Sequence, residues 1–219
     1  MQQASPLYPA HTAFAAARPF ILLLVLWAVG GGIALALEED RGYYTGINQH
    51  PHPVLDAVLP YVTFMGEAAF IVPVLLVLLL FKACRNRRII IAFAVCNLVP
   101  FIVTQIVKNL INAPRPLKYF NEAAWIHRVE GQPVNYNYSF PSGHSEGSFA
   151  LFCFLSLVLP AKYAGLSIFF FLLAAAVGFS RIYLSQHFFA DVYVGSLIGA
   201  GFCLLCFRLV YPGKKPVMV

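Results

Sequence analysis

Charge is what this sequence lacks. Only 11% of its 219 residues are Asp, Glu, Lys or Arg, while 60% are hydrophobic, and the mean hydropathy is +0.74. A soluble domain of this size cannot cover its surface with so few charges, so lipid is the main solvent. Acidic residues are scarcest, and their one group, Glu38, Glu39 and Asp40, stands alone in a polar connection. No carboxylate cluster therefore offers a magnesium site, and no metal or other cofactor is expected. Cysteine is absent from the polar loops: Cys84, Cys96, Cys153, Cys203 and Cys206 all fall in or beside apolar runs, so no disulfide is expected. Cys203 and Cys206 form a CxxC without a second pair and read as small packing residues. Internal repeats and low-complexity stretches are missing too. No basic stretch is interleaved with aromatics, so the net charge of +6 calls for no nucleic-acid partner. No obligate protein partner is indicated.

What the sequence has is long apolar runs. A hydrocarbon core of about 30 Å needs about 20 helical residues to cross it. Six runs qualify: 20–37, 61–81, 89–111, 143–160, 164–181 and 189–210. The prolines and Asp56 of "HPHPVLDAVLPYV" suggest a short interfacial helix before the second. The first run lacks a convincing signal-peptidase site and reads as a retained helix. The expectation is an all-α, polytopic membrane protein over 1–219. It is a single-domain bundle of six transmembrane helices, with an interfacial helix in the first outer loop.

Lys and Arg set the orientation. With the N-terminus inside, the cytoplasmic side receives Arg18, Lys82, Arg85, Arg87, Arg88, Lys162, Arg208, Lys214 and Lys215. The other side receives Arg41, Lys108, Arg115, Lys118, Arg128 and Arg181. The dense "KACRNRR" loop anchors the bias, and both termini are expected in the cytoplasm. Short loops suggest a bacterial inner membrane. Polar elaboration is concentrated in the outer loops 38–60 and 112–142, where function is expected.

Three stretches at the ends of spans three to six carry chemistry. In "SRIYLSQHFFAD", His187 and Asp191 are four apart, a spacing that shares one helix face. Asp191 could then fix the His187 tautomer and free the other nitrogen as base or nucleophile, with Arg181 nearby. The plainer alternative is an interfacial pair that anchors a helix end. "SFPSGHSEGSF" reads as a helix N-terminus, with free N–H groups that bind phosphate oxygens. Ser142 would add a hydroxyl, Gly143 a close backbone approach, and His144 an imidazole; the alternative is an ordinary cap. In "KNLINAPRP", Lys108 offers a point charge and Arg115 a planar fork. Pro114 argues that the helix ends before Arg115, and snorkelling cations are the alternative here. Two histidines, three cations and a supporting Asp on one face together describe a phosphoryl pocket.

The order Lys–x6–Arg–Pro, Pro–Ser–Gly–His, Ser–Arg–x5–His–x3–Asp resembles the tripartite signature of the type 2 phosphatidic acid phosphatase (PAP2) superfamily. Here it comprises Lys108, Arg115 and Pro116; Pro141 to His144; and Ser180, Arg181, His187 and Asp191. The resemblance implies a membrane lipid phosphatase working at the outer leaflet without metal. His187 would form a phosphohistidine, oriented by Asp191, and His144 would protonate the leaving oxygen and then activate water. Lys108, Arg115, Ser142, Gly143 and Arg181 would hold the phosphate. Substrates would be phosphatidic acid, phosphatidylglycerol phosphate, an isoprenyl pyrophosphate or lipid A. A lipid phosphotransferase remains open, and a transporter fits less well because the charges sit at span ends. Glu146 reads as a helix-dipole carboxylate, with contact to the pocket as the alternative. Asp56 and Glu67 read as helix-start or packing residues, with a headgroup contact as the alternative. Tyr119, Phe120, Trp125, Tyr136 and Tyr138 read as an interfacial aromatic belt, with the shaping of a lipid entry as the alternative.

Overall fold

The computed structural model describes residues 10–39 and 41–212; Asp40, Lys214 and Lys215 lie outside them. Among the described residues there is no strand, and nine α-helices carry the chain. These are α1 (Ala10–Leu37), α2 (Gly42–Asn48), α3 (Pro53–Phe64), α4 (Ala68–Leu78), α5 (Arg87–Ile111), α6 (Pro116–Tyr119), α7 (Gly143–Val158), α8 (Leu166–Tyr183) and α9 (Phe189–Val210). Four of them, α1, α5, α8 and α9, are long and apolar enough to cross a membrane, or five spans result if the bent pair α3–α4 counts as one. Leu22, Leu26, Leu110 and Leu209 are each at least 65% exposed, as side chains that face lipid can be.

Local sequence sets the helix ends. Asn86 caps α5 by accepting from the Ile89 N–H (2.9 Å), and Asn112 closes it in the left-handed conformation (φ 46°). Pro53 opens α3 at a position where its missing N–H costs nothing. Two expectations on boundaries shift. The first helix starts at Ala10, well before residue 20, because the alanine-rich segment is helix-forming and its small side chains let α1 approach α8, where Ser167 Oγ donates to the Ala16 carbonyl (2.9 Å). The second run is not continuous: it breaks at Met65–Glu67, and α3 and α4 meet at 59°.

Helix α7 is the centre of the molecule. Twelve of its 16 residues are buried, and it packs against α9, α8, α5 and α1. Phe20, Phe149 and Phe171 interlock edge to face around it, with centroids 5.4–6.4 Å apart. All five cysteines are buried and free, and Cys96 Sγ donates to the Cys203 carbonyl (3.3 Å). Close approach of α9 depends on two glycines. A Cβ on Gly195 would fall on the Ser142 carbonyl oxygen, and one on Gly199 on the Glu146 carbonyl oxygen. Both obstacles are backbone, so they cannot swing aside. Gly199→Ala should therefore cost about 1–3 kcal/mol by overpacking and lower the melting temperature in detergent. Gly201→Ala, on the same helix but with nothing within 4 Å of the added methyl, should not. Equal melting temperatures for the two variants would refute this account of the α7–α9 contact.

Candidate active site

His187 lies in the loop 184–188 between α8 and α9. The loop turns sharply, with Ser185 in the left-handed region (φ 58°) and the Gln186 and His187 N–H groups both donating to the Arg181 carbonyl (3.0 and 3.1 Å). Tyr44 and Asn48 of α2 brace it, donating to Ser185 Oγ at 3.0 and 2.8 Å. Burial drives the Tyr44 hydroxyl up to about 12, so it stays a donor. The His187–Asp191 pair does meet, but not through a shared helix face. His187 precedes α9, whereas Asp191 sits in the first turn of α9 and reaches back to it. Asp191 Oδ2 faces His187 Nδ1 (3.4 Å), accepts from the Phe188 N–H (2.9 Å) and accepts a short bond from Ser139 Oγ.

The other ring nitrogen, Nε2, faces Arg115 Nη1 (3.5 Å). His187 is 1% exposed. Burial, reinforced by the charges of Arg115, Arg181 and Lys108, pushes its pKa well below the ordinary histidine value. The ring is thus a neutral imidazole, with one nitrogen turned to a carboxylate and the other to a guanidinium.

The cations reach the same place from three elements. Arg115 follows the end of α5, which stops at Ile111 ahead of Pro114. Its Nε donates to the Asn137 carbonyl (2.9 Å), and its Nη1 to the Gln186 carbonyl and Oε1 (both 3.1 Å). Lys108 Nζ donates to the Tyr138 carbonyl (3.0 Å). Arg181, 4% exposed, donates from Nη1 to Thr63 Oγ1 (2.8 Å), and its buried Nε has no hydrogen-bond partner among the described residues. A buried guanidinium N–H without an acceptor is costly unless a ligand supplies one.

Helix α7 points its N-terminus at this cluster. Ser142 serves there as the cap: its Oγ accepts from Ser145 N–H (3.4 Å) and Ser145 Oγ (3.1 Å), and its own N–H donates to the Asp191 carbonyl (2.9 Å). The Gly143 and His144 N–H groups have no acceptor among the described residues, and a side chain at Gly143 would meet open space. His144 Nε2 faces Glu67 Oε1 (3.4 Å). Lys108, Arg115, Arg181, Gly143, His144, His187 and Asp191 are thus brought together, with Ser142 beneath them.

Ser139, Gln186, Thr63 and Glu67 complete the site, and no spacing in the sequence marks Ser139, Gln186 or Thr63. Glu146, just inside α7, is 2% exposed, and its Oε1 has no partner among the described residues. It is therefore not a solvated helix-start charge. Asp56 binds His127 Nε2 (2.8 Å) and the Tyr183 hydroxyl, tying α3 to the loop between α6 and α7 and to α8. Of the aromatic residues, Tyr119, Phe120 and Trp125 make ring contacts with one another and with Tyr44 and Phe188 beside the loop 184–188, and Tyr119, Trp125, Tyr136 and Tyr138 are exposed.

The chain is similar to several known proteins. The chain is 28% identical over 225 residues to lipid phosphate phosphatase 1 of Arabidopsis thaliana, covering 88% of this chain and 67% of that protein. It is 26% identical over 202 residues to an undecaprenyl-diphosphatase of Sulfolobus acidocaldarius, covering 89% of each. Among solved structures, LpxE of Aquifex aeolicus superposes with a TM-score of 0.63 at 26% identity, over 76% of this chain and 93% of that one. The family model of the PAP2 superfamily matches residues 87–215, which include all three signature stretches, and the chain belongs to that superfamily.

Proposed function

We propose that this chain is an integral-membrane lipid phosphatase that works through a phosphohistidine without a metal ion. The observation that carries the reading is the orientation of His187: Nδ1 turned to Asp191 and Nε2 to Arg115, in a ring held neutral. A phosphoryl group seated among Arg115, Lys108, Arg181 and the free N–H groups of α7 would present phosphorus to the Nε2 lone pair. The N–P bond forms as the P–O bond to the lipid breaks, and His144 gives its proton to the departing oxygen. A water then attacks phosphorus, returns a proton to His144, and the N–P bond breaks to release phosphate. Three cations and two backbone donors offset the developing charge, which is the role a metal would otherwise take.

The reading extends to placement. Residues 1–219 form one domain with six crossings, counting α3–α4 as one and the short, buried α7 as another. The basic cluster around Arg87 and the site near Lys108 stand at opposite ends of α5. Lys and Arg are retained inside, so both termini are cytoplasmic and the site faces the periplasm or exterior of an inner membrane. The relatives' names point to lipid phosphates, undecaprenyl diphosphate among them, as the substrate class.

The test is phosphate release by the detergent-purified protein in excess EDTA, over phosphatidic acid, phosphatidylglycerol phosphate, undecaprenyl diphosphate and lipid A. Release that persists in EDTA, with one lipid ranked first, is the expected result. Loss in EDTA with recovery on adding magnesium would end the metal-free mechanism. No release from any lipid would replace hydrolysis with transfer to an acceptor lipid.

A further inference from the structure

The break between α3 and α4 is built against the catalytic pocket. Gly66 lies so close to α7 that a Cβ there would stand 2.6 Å from the His144 carbonyl oxygen and 3.0 Å from its Cα. From the other side, a Cβ on Gly147 would stand 3.1 Å from the Gly66 carbonyl oxygen. The two glycines bring the elbow into backbone contact with the first turn of α7. The elbow then places two side chains on residues of the signature: Thr63 accepts from Arg181 (2.8 Å), and Glu67 Oε1 faces His144 Nε2 (3.4 Å). Glu67 stands at the N-cap of α4, yet its side chain makes no capping hydrogen bond; only its backbone carbonyl accepts from Phe70 and Ile71. The carboxylate is thus committed to the imidazole and not to its own helix.

We propose that Glu67 is the positioning residue of His144, a second carboxylate–histidine pair facing the His187–Asp191 pair across the phosphoryl pocket. This rests on the reading of His144 as general acid. The electrostatic need is clear. Lys108, Arg115 and Arg181 gather the phosphate in the same pocket, and positive charge around an imidazole opposes the proton an acid must carry before giving it up. Glu67 is the carboxylate in contact with the ring, and a negative charge beside an imidazole favours its protonated form. With Nε2 turned to Glu67, Nδ1 is left to exchange the proton with the leaving oxygen. The two pairs divide the work: Asp191 steadies a histidine that must start neutral, Glu67 one that must start charged. Glu67, like Thr63 and Gly66 of the elbow, precedes residue 87, where the match to the family begins.

The experiment compares two leaving groups on the same preparations of the full chain in detergent. A short-chain phosphatidic acid has an alkoxide leaving group that needs a proton, whereas p-nitrophenyl phosphate releases a stable phenolate that does not. The ratio of kcat/KM for the two reports protonation, and any unfolded fraction cancels in it. A general acid contributes roughly 10²–10⁴-fold, so His144→Ala should lower the ratio by that order, and Glu67→Gln, of the same shape without the charge, by about tenfold. A ratio lowered in both variants supports the proposal. A ratio lowered in His144→Ala but unchanged in Glu67→Gln overturns it and leaves the general acid in place. A ratio unchanged in His144→Ala removes the acid role itself, and the pairing with it.

Discussion

His187→Ala should release no phosphate above background from any lipid that the parent protein hydrolyses. Without the ring there is no atom to accept the phosphoryl group. Removing a covalent nucleophile leaves only what the binding groups contribute, so the expected loss in kcat is on the order of 10⁴-fold or more. Arg115 and Asp191 would both lose a neighbour, and some loss of folded protein could imitate the effect. A second measurement separates the two causes. Acid-quenched and base-quenched parent protein, incubated with radiolabelled lipid phosphate, should carry a label that survives base and is lost in acid, as a phosphoramidate is. The variant should carry none, while eluting on gel filtration as the parent does. Release within tenfold of the parent, or an acid-stable label, would remove His187 from the role of nucleophile.

Asp191→Asn should lower kcat by roughly 10²–10³-fold while moving KM little, the scale of losing one well-placed electrostatic partner. The geometry makes this a clean substitution. One carboxylate oxygen, Oδ2, faces His187 Nδ1 and accepts from both the Phe188 N–H and Ser139 Oγ. Those donors select the carbonyl oxygen of an asparagine for the same position, so the hydrogen bonds and the tautomer survive and only the charge goes. On the phosphohistidine reading the charge matters once the N–P bond has formed, because the ring then carries a positive charge in a buried site. Ser139→Ala removes one donor and keeps the charge, so a net hydrogen bond of about 1 kcal/mol predicts a loss of only roughly fivefold. Equal effects of the two substitutions on kcat would show that Asp191 acts through shape alone.

The parts of this protein legible in the sequence are those fixed by residues near one another. The apolar runs 89–111 and 189–210 became α5 and α9 with almost the expected bounds, because a run that must satisfy its backbone in lipid has to be helical. Pro114 ended α5 ahead of Arg115 for a local reason as well. The signature residues could be named because their types, and not their surroundings, identify them. What was hidden depends on distant partners. The break at Gly66 lies in an apolar run, and the backbone it packs against, that of His144, is far along the chain. Thr63, Ser139 and Gln186 are ordinary polar residues until the fold sets them against Arg181, Asp191 and Arg115. The His187–Asp191 contact was anticipated from helical spacing, although a loop makes it, so the spacing pointed to the right pair through the wrong geometry.

The loop that carries His187 has few of the properties of a loop. Tyr44 and Asn48 hold Ser185, Arg181 accepts two of its amides, and Gln186 is spanned by Arg115, Asn135 and the Pro133 carbonyl. Its amides should exchange with solvent on the timescale of opening the helix bundle, not on that of a surface segment. The conformational entropy of aiming the His187 ring is then surrendered once, when the chain folds, and not again at each binding event. On the phosphohistidine reading, what is left to vary from one turnover to the next is the seating of the lipid phosphate, not the aim of the ring.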